Sequence, residues 1–278
     1  MRRTFPLAVL CLAASLGAQE PSTLSDPLHR PLDEILDVNV RDGFVYYNAL
    51  KSSRVKLDRY VASLGAVSSG ELSAWPRERQ AAFWLNAYNA FVLRTVIDHY
   101  PIRGKASQYP ASSIRQIPGA FERRTFRAGG REVTLDGLER DVLAGFNDPR
   151  VFLALGRGAI GGGRLRSEAF AGTDLEDQLA EVAAESVTRK EIARLDTSAG
   201  VLSLSPIFSW REAPFVAAFA DKADLAYAAR SPIERAALAL LEPHVLFTER
   251  EYLRRNSFTV SFHEFDWRLN DLTGGRRD

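Results

Sequence analysis

Residues 81–97 read AAFWLNAYNAFVLRTVI, and this stretch decides the fold. Wound at 3.6 residues per turn it is apolar on nearly every face, a pattern that belongs at the centre of a domain rather than on its surface. The boundaries of the helix are also written in the chain. Pro76 suits a first helical position, and Pro101 stops the chain just past His99, so the helix is predicted over 76–99. Asn86 and Asn89 sit three apart on this buried helix, so their amides project from one side. A buried amide without partners costs about 1–3 kcal/mol. Either one lines a ligand site or both pin neighbouring loops, and the second reading is preferred.

Working outward, Leu32–Val40 reads as a short helix, and Asp42-Gly43 turns the chain into an extended Phe44–Tyr47. A helix over 50–64 follows, with Val55, Leu57, Tyr60, Val61 and Leu64 as its apolar face. Gly129-Gly130 between Thr125–Ala128 and Arg131–Thr134 predicts a tight hairpin. Val151–Leu155 and Val201–Leu204 read as short strands, and Ser257–Phe262 alternates with Phe258, Val260 and Phe262 on one face. Capping boxes at Thr173–Glu176, Ser231–Glu234 and Thr248–Glu251 start three helices, the first running to about residue 193. The expected class is α+β: a single domain over residues 30–272, with a central buried helix and a small, mostly antiparallel sheet. A flexible leader (19–29) and a short tail (273–278) flank it.

Residues 1–18, MRRTFPLAVLCLAASLGA, have the basic, apolar and small-residue layout of a secretory signal peptide. The expected destination is the periplasm or the exterior, with no transmembrane anchor, because the apolar run is too short to span a bilayer. Leu10 before Cys11 argues against lipidation, which needs a small residue there. Removal of Arg2 and Arg3 lowers the formal charge from +1 to −1 and takes away the single cysteine. A chain of 278 residues with 36 basic and 35 acidic side chains lacks the surplus of a nucleic-acid binder. A cysteine-free mature chain excludes a thiolate nucleophile, a disulfide framework and a cysteine-rich zinc module.

Gly156-Arg-Gly158-Ala-Ile-Gly161 matches G-x-G-x-x-G after a strand candidate. Gly162 and Gly163 follow at once, and no second strand closes a βαβ unit before Val201, so a dinucleotide site is not expected. Ser53-Arg-Val-Lys56 matches S-x-x-K on an exposed helix and reads as chance. His29, His99, His244 and His263 are scattered singly, without zinc-binding spacing, so neither a metal nor a cofactor is expected. His263 lies near Glu264 and Asp266, which would orient an imidazole; a surface histidine is the preferred reading.

Five stretches together resemble one family: Asp42-Gly43 with Tyr46-Tyr47 and Ala49-Leu50; Ala82–Ala90; Asp148-Pro-Arg-Val151; Leu202–Trp210; and Asp266-Trp-Arg-Leu-Asn-Asp271. The family is domain-of-unknown-function family 547, of bacteria and plants, and the resemblance spans about residues 30–272. Its name carries no established reaction. Its usual central motif resembles DPRIHFALNCASLSCPPLR, which invites a cysteine-hydrolase reading and a papain-like fold, because the His would take the thiol proton. This chain departs from the motif at the chemistry: Phe152 stands for the His, Arg157 for the first Cys and Gly162 for the second. The resemblance therefore implies a non-catalytic binding or interaction module that has lost the pair, with a small anionic ligand or a protein as partner. The alternative is a hydrolase with its catalytic groups elsewhere. Gly161 and Gly163 beside Arg157, Arg164 and Arg166 suggest an anion nest, against the plainer reading of a loop with solvated arginines.

Mass spectrometry of the protein from its native host should find a new N-terminus near Gln19. An intact Met1 in the mature protein would refute export by cleavage.

Overall fold

The computed structural model describes residues 26–274. The signal-peptide reading and most of the leader lie outside these residues, as does the end of the tail. The predicted helix spans Arg77–His99. Every residue from 81 to 97 is buried except Arg94, which reaches Asp58 (2.9 Å) and Asp98 (3.1 Å). Pro76 sits one position earlier than expected, at the N-cap, and Tyr100 turns extended ahead of Pro101. Phe83 packs edge-on against Trp84 and Trp75, and Phe91 stacks on Phe126 with centroids 4.3 Å apart. The remaining elements close round this helix in one continuous core.

The N-terminal helix is Arg30–Asn39, as expected. Residues 26–29, read as leader, are docked instead: Asp26 pairs with Arg79, and buried His29 meets the Tyr60 hydroxyl through Nδ1 at 2.7 Å. Asp42 and Gly43 both take positive φ and join strands β1 (Val40–Arg41) and β2 (Phe44–Val45). The helix expected over 50–64 is two helices, Tyr47–Ser52 and Val55–Ala66. Ser52 and Ser53 each turn a hydroxyl back onto the carbonyl four residues earlier, offering the backbone an alternative to continued helix. Val55 is consequently exposed rather than on the apolar face.

The hairpin forms as read: β3 (Phe126–Ala128) and β4 (Arg131–Val133) flank Gly129 and Gly130, whose φ of 55° and 76° disfavour side-chain-bearing residues. The expected strand 151–155 is instead a helical turn, Arg150–Leu153. Asp148 accepts from the Arg150 amide (3.0 Å) and starts the turn, and a five-residue apolar run cannot by itself tell the two states apart. The Thr173 capping box does not form. Glu176 pairs with Arg150 instead, and the helix Leu175–Ser186 ends early so that the chain can enter β5 (Ala193–Asp196). Ser231 and Glu234 cap Pro232–Leu241 as predicted; the last helix starts one residue before Thr248, at Phe247, with Glu249 closing its N-terminus.

Among the described residues three small sheets replace the expected single one. Two are the hairpins. In the third, β5 runs antiparallel to β6 (Val201–Leu204), and β6 runs parallel to β7 (Thr259–Phe262) after a helical crossover. Phe258 is buried as expected, but Phe262 is exposed. The class is α+β, with mostly antiparallel pairing. The C-terminal segment returns to the N-terminal hairpin: Asn270 bonds Tyr47 Oη and the Gly43 carbonyl, and Asp271 bridges in parallel to Val45.

Phe83→Ala or Trp84→Ala should cost about 3–5 kcal/mol, read as a lowered urea midpoint, because both rings are fully enclosed. Acid should act through His29. Burial foremost holds its pKa down at about 4, outweighing the opposing Asp26 charge, with a lesser downward push from Arg79. Between an ordinary histidine value of about 6.5 and that value the unfolded chain binds a proton that the folded one refuses. Stability should therefore fall as pH drops through that window, by about 2–3 kcal/mol between pH 7 and 4.5. Urea titrations should show a flatter pH response for His29→Gln.

Candidate functional site

The amides of Asn86 and Asn89 are where the central helix meets the segments that carry the motif. Asn86 donates to Phe170 O and accepts from Phe170 N, both at 2.8 Å. Asn89 donates to Ala154 O (3.3 Å) and accepts from Gly156 N (3.0 Å). Both therefore pin backbone, as the preferred reading had it.

Phe152 is enclosed by Phe215, which in turn meets Phe208, with the Arg211 guanidinium 5.6 Å from its ring centre. Arg157 takes a left-handed backbone conformation, φ 50°, and is 2% exposed. Its guanidinium donates to the carbonyls of Phe152 (3.0 Å) and Leu155 (3.3 Å) and to Glu139 Oε1 at 2.6 Å. Arg211 Nε donates to the same oxygen at 3.1 Å. Glu139 lies on a π-helical turn, Leu138–Val142, a geometry that often marks functional positions. Burial alone would raise the Glu139 pKa; the charges and hydrogen bonds of Arg157 and Arg211 outweigh it and hold the carboxyl below its ordinary value. Tyr88, one residue before Asn89, is fully buried with no hydrogen-bond partner at its hydroxyl. Burial and then the Glu139 charge push its pKa up.

Glu139, Arg211 and Tyr88 were invisible in the sequence. No local pattern marks Leu138-Glu-Arg-Asp141 or Trp210-Arg-Glu212, and only the fold brings Glu139 to Arg157 and Arg211 to Glu139. The signal that existed was Arg157 itself, a charge in an otherwise apolar and glycine-rich run.

The rest of the glycine loop is committed inward. Gly161 N donates to Asp266 O (2.9 Å), Gly162 N to Ala159 O (3.1 Å) and Gly163 N to Leu155 O (2.8 Å). These amides do not converge as a free anion nest. A Cβ on Gly162 would fall less than 3.0 Å from the Gly156 carbonyl oxygen, and one on Gly163 equally close to Leu153 O. Arg164 pairs with Glu185, and Arg166 with Glu168 and Glu181, so these arginines are not simply solvated either. Arg166 keeps two buried nitrogens without partners.

His263 does not engage Glu264 or Asp266 by hydrogen bond. Nε2 faces the Glu191 carbonyl at 3.0 Å and must be the donor, leaving Nδ1 toward Ser203 Oγ at 3.3 Å. Asp266 is taken by Arg268. A cavity of about 280 Å³ lies beside this histidine, between Lys190, Arg194 and Arg268. Among the described residues no group of three or more His, Cys, Asp or Glu is placed to hold a metal, and no helix is long and apolar enough to cross a membrane.

Residues 72–186 match the sequence profile of the family described as "Protein of unknown function, DUF547". The matched stretch covers 115 of the chain's 278 residues. It contains the central helix, Glu139 and the whole motif loop, while the Asp266–Asp271 stretch falls beyond it. No curated protein and no solved structure matches the chain.

Two substitutions probe the DUF547 loop. Glu139→Ala should destabilise the fold by about 3–5 kcal/mol, because it leaves Arg157 buried without its counter-charge. Gly162→Cys should lower the melting temperature rather than install a thiol site, since its Cβ has no room beside Gly156; a wild-type melting temperature would contradict this.

Proposed function

We propose that this chain is an exported, non-catalytic member of its family that acts by binding, with residues 30–272 as one functional unit. One observation carries the reading. The positions of the family's presumed His and its two cysteines are occupied by a packed Phe152 ring, an Arg157 guanidinium locked to Glu139, and Gly162, whose amide donates to Ala159 O. The single cysteine, Cys11, lies in the segment whose removal is expected. With neither thiol nor imidazole at the motif, no group there can form the thiolate or accept its proton. The periplasm or exterior is the location that residues 1–18 support, and a small anion or a protein is the partner.

A hydrolase working outside the motif is the second reading, and Ser203 with His263 favours it. The Glu191 carbonyl fixes the tautomer that leaves Nδ1 free to take the serine proton, and a cavity adjoins the ring.

Purified mature protein should turn over neither peptide nor ester substrates, and iodoacetamide should add no mass at cysteine. Hydrolysis that disappears in both Ser203→Ala and His263→Ala would establish the second reading in place of the first.

A further inference from the structure

We propose that a basic face, built from the helix Val55–Ala66, the end of the central helix and residues 119–127, seats the protein on an anionic phospholipid surface. Aromatic rings at one margin of this face enter the headgroup boundary. The inference goes beyond the binding reading above and does not depend on the chemistry of the motif.

The chain is nearly neutral as a whole, but its charges are segregated. Residues 51–66 carry four basic side chains and one acidic, and residues 100–134 carry seven and two. Of the 36 basic and 35 acidic side chains, these stretches hold eleven and three, so the rest of the chain is net acidic. The excess persists when the bordering charges are included. Arg94 and Arg140, together with Asp98, Glu34, Glu71, Asp136, Asp141 and Asp271, bring the balance to thirteen cations against nine anions. Glu132, opposite Arg127 in the hairpin, is among the nine.

Tertiary contacts gather the two stretches. Asp98, at the end of the central helix, accepts from Arg54 (2.5 Å), Arg94 (3.1 Å) and Arg124, and Arg94 also reaches Asp58 (2.9 Å). Three cations therefore share two carboxylates, and Arg124 Nε is buried with no partner. Arg127 lies against the helix Val55–Ala66, where a Cβ on Gly65 would fall 3.6 Å from its own Cβ. Lys51 donates to the Tyr100 carbonyl and ties in the start of the second stretch. Arg103, Lys105, Arg123 and Arg127 are exposed, and their side chains make no hydrogen bond or ion pair among the described residues. Clustered cations without counter-charges sum to a positive potential that attracts an extended anion.

The rings adjoin this face through Arg115. Its guanidinium pairs with Glu122 and lies 4.3 Å from the Phe121 ring centre and 4.6 Å from that of Trp267. Trp267 packs in turn on Tyr109, Phe265 and Trp210, with centres 6.1, 4.4 and 6.3 Å away. Trp210 is 44% exposed, and Val55, beside Arg54, is 57% exposed. Tryptophan and tyrosine favour the boundary between headgroups and acyl chains, and adjacent lysines and arginines meet anionic headgroups. A dissolved phosphate would occupy one or two of these cations and leave the rings in water; a charged bilayer engages both features. No helix among the described residues is long and apolar enough to cross a membrane, so the attachment is peripheral.

Co-sedimentation of the mature protein with vesicles tests this, residues 1–18 being removed so that their apolar run cannot insert. Vesicles of equal parts phosphatidylglycerol and phosphatidylcholine should bind it, and vesicles of phosphatidylcholine alone should not. Raising salt from about 0.1 to about 1 M shortens the screening length from about 10 to about 3 Å and should release it. Arg123→Gln and Arg127→Gln should each weaken binding about fivefold, and about twenty-five-fold together, at unchanged circular dichroism. Arg103→Gln with Lys105→Gln should act alike and serves if the first pair does not fold. Lys222→Gln, outside the face, should leave binding unchanged. Charged vesicles should shift tryptophan emission to the blue, and Trp210→Phe should remove most of that shift. Equal binding to both vesicles, no binding to the charged ones, or full affinity in the double variants would overturn the proposal. So would an equal loss in Lys222→Gln, or an emission shift that is absent or survives Trp210→Phe. Release from charged vesicles by single-stranded DNA at equal phosphate concentration would make nucleic acid the partner instead.

Discussion

Asn86 and Asn89 each face a loop with both ends of a carboxamide, donating to one backbone group and accepting from another. In a helix buried on almost every side, these amides would be costly without such partners. The same requirement fixes the loops. Residues 154–156 and the backbone at Phe170 are held at set distances from the helix axis, and the buried glycine run 161–163 lies between these two anchors. The fold could not shed the loops without stranding two buried amides.

The ion pair between Glu139 and Arg157 depends on that frame. Asn89 holds Gly156, and Arg157 follows immediately in a left-handed conformation that aims its side chain back under Phe152. Buried pairs commonly add little net stability over a well-packed apolar substitute, because desolvation offsets attraction. Their consequence is specificity of arrangement: with Arg157 in place, Glu139 must stay charged, Arg211 is drawn to it, and the aromatic residue before Arg211 is set at the surface.

The second polar feature, His263 between Ser203 and the Glu191 carbonyl, arises from strand order alone. Because β6 and β7 are parallel with Ser203 opposite Ser261, a residue two further on lies on the same face as Ser203. No local sequence signal connects residues 203 and 263.

Much of the architecture was legible in the chain. The all-round apolar run at 81–97 required a central helix, two glycines required the hairpin at 129–130, and Pro101 ended the helix, since each of these is a local steric or solvation constraint. The identities of Phe152, Arg157 and Gly162 were likewise readable directly, because a residue's identity needs no fold to be read. Tertiary structure decided the rest. Val151–Leu155 became a helical turn and Glu176 left its cap for Arg150, since a short apolar run or a mobile carboxylate takes whatever partner packing supplies. Glu139 and Arg211 stand far from Arg157 in sequence, and a charge shows no buried partner until the chain closes water away from it; only folding turns three scattered side chains into one site.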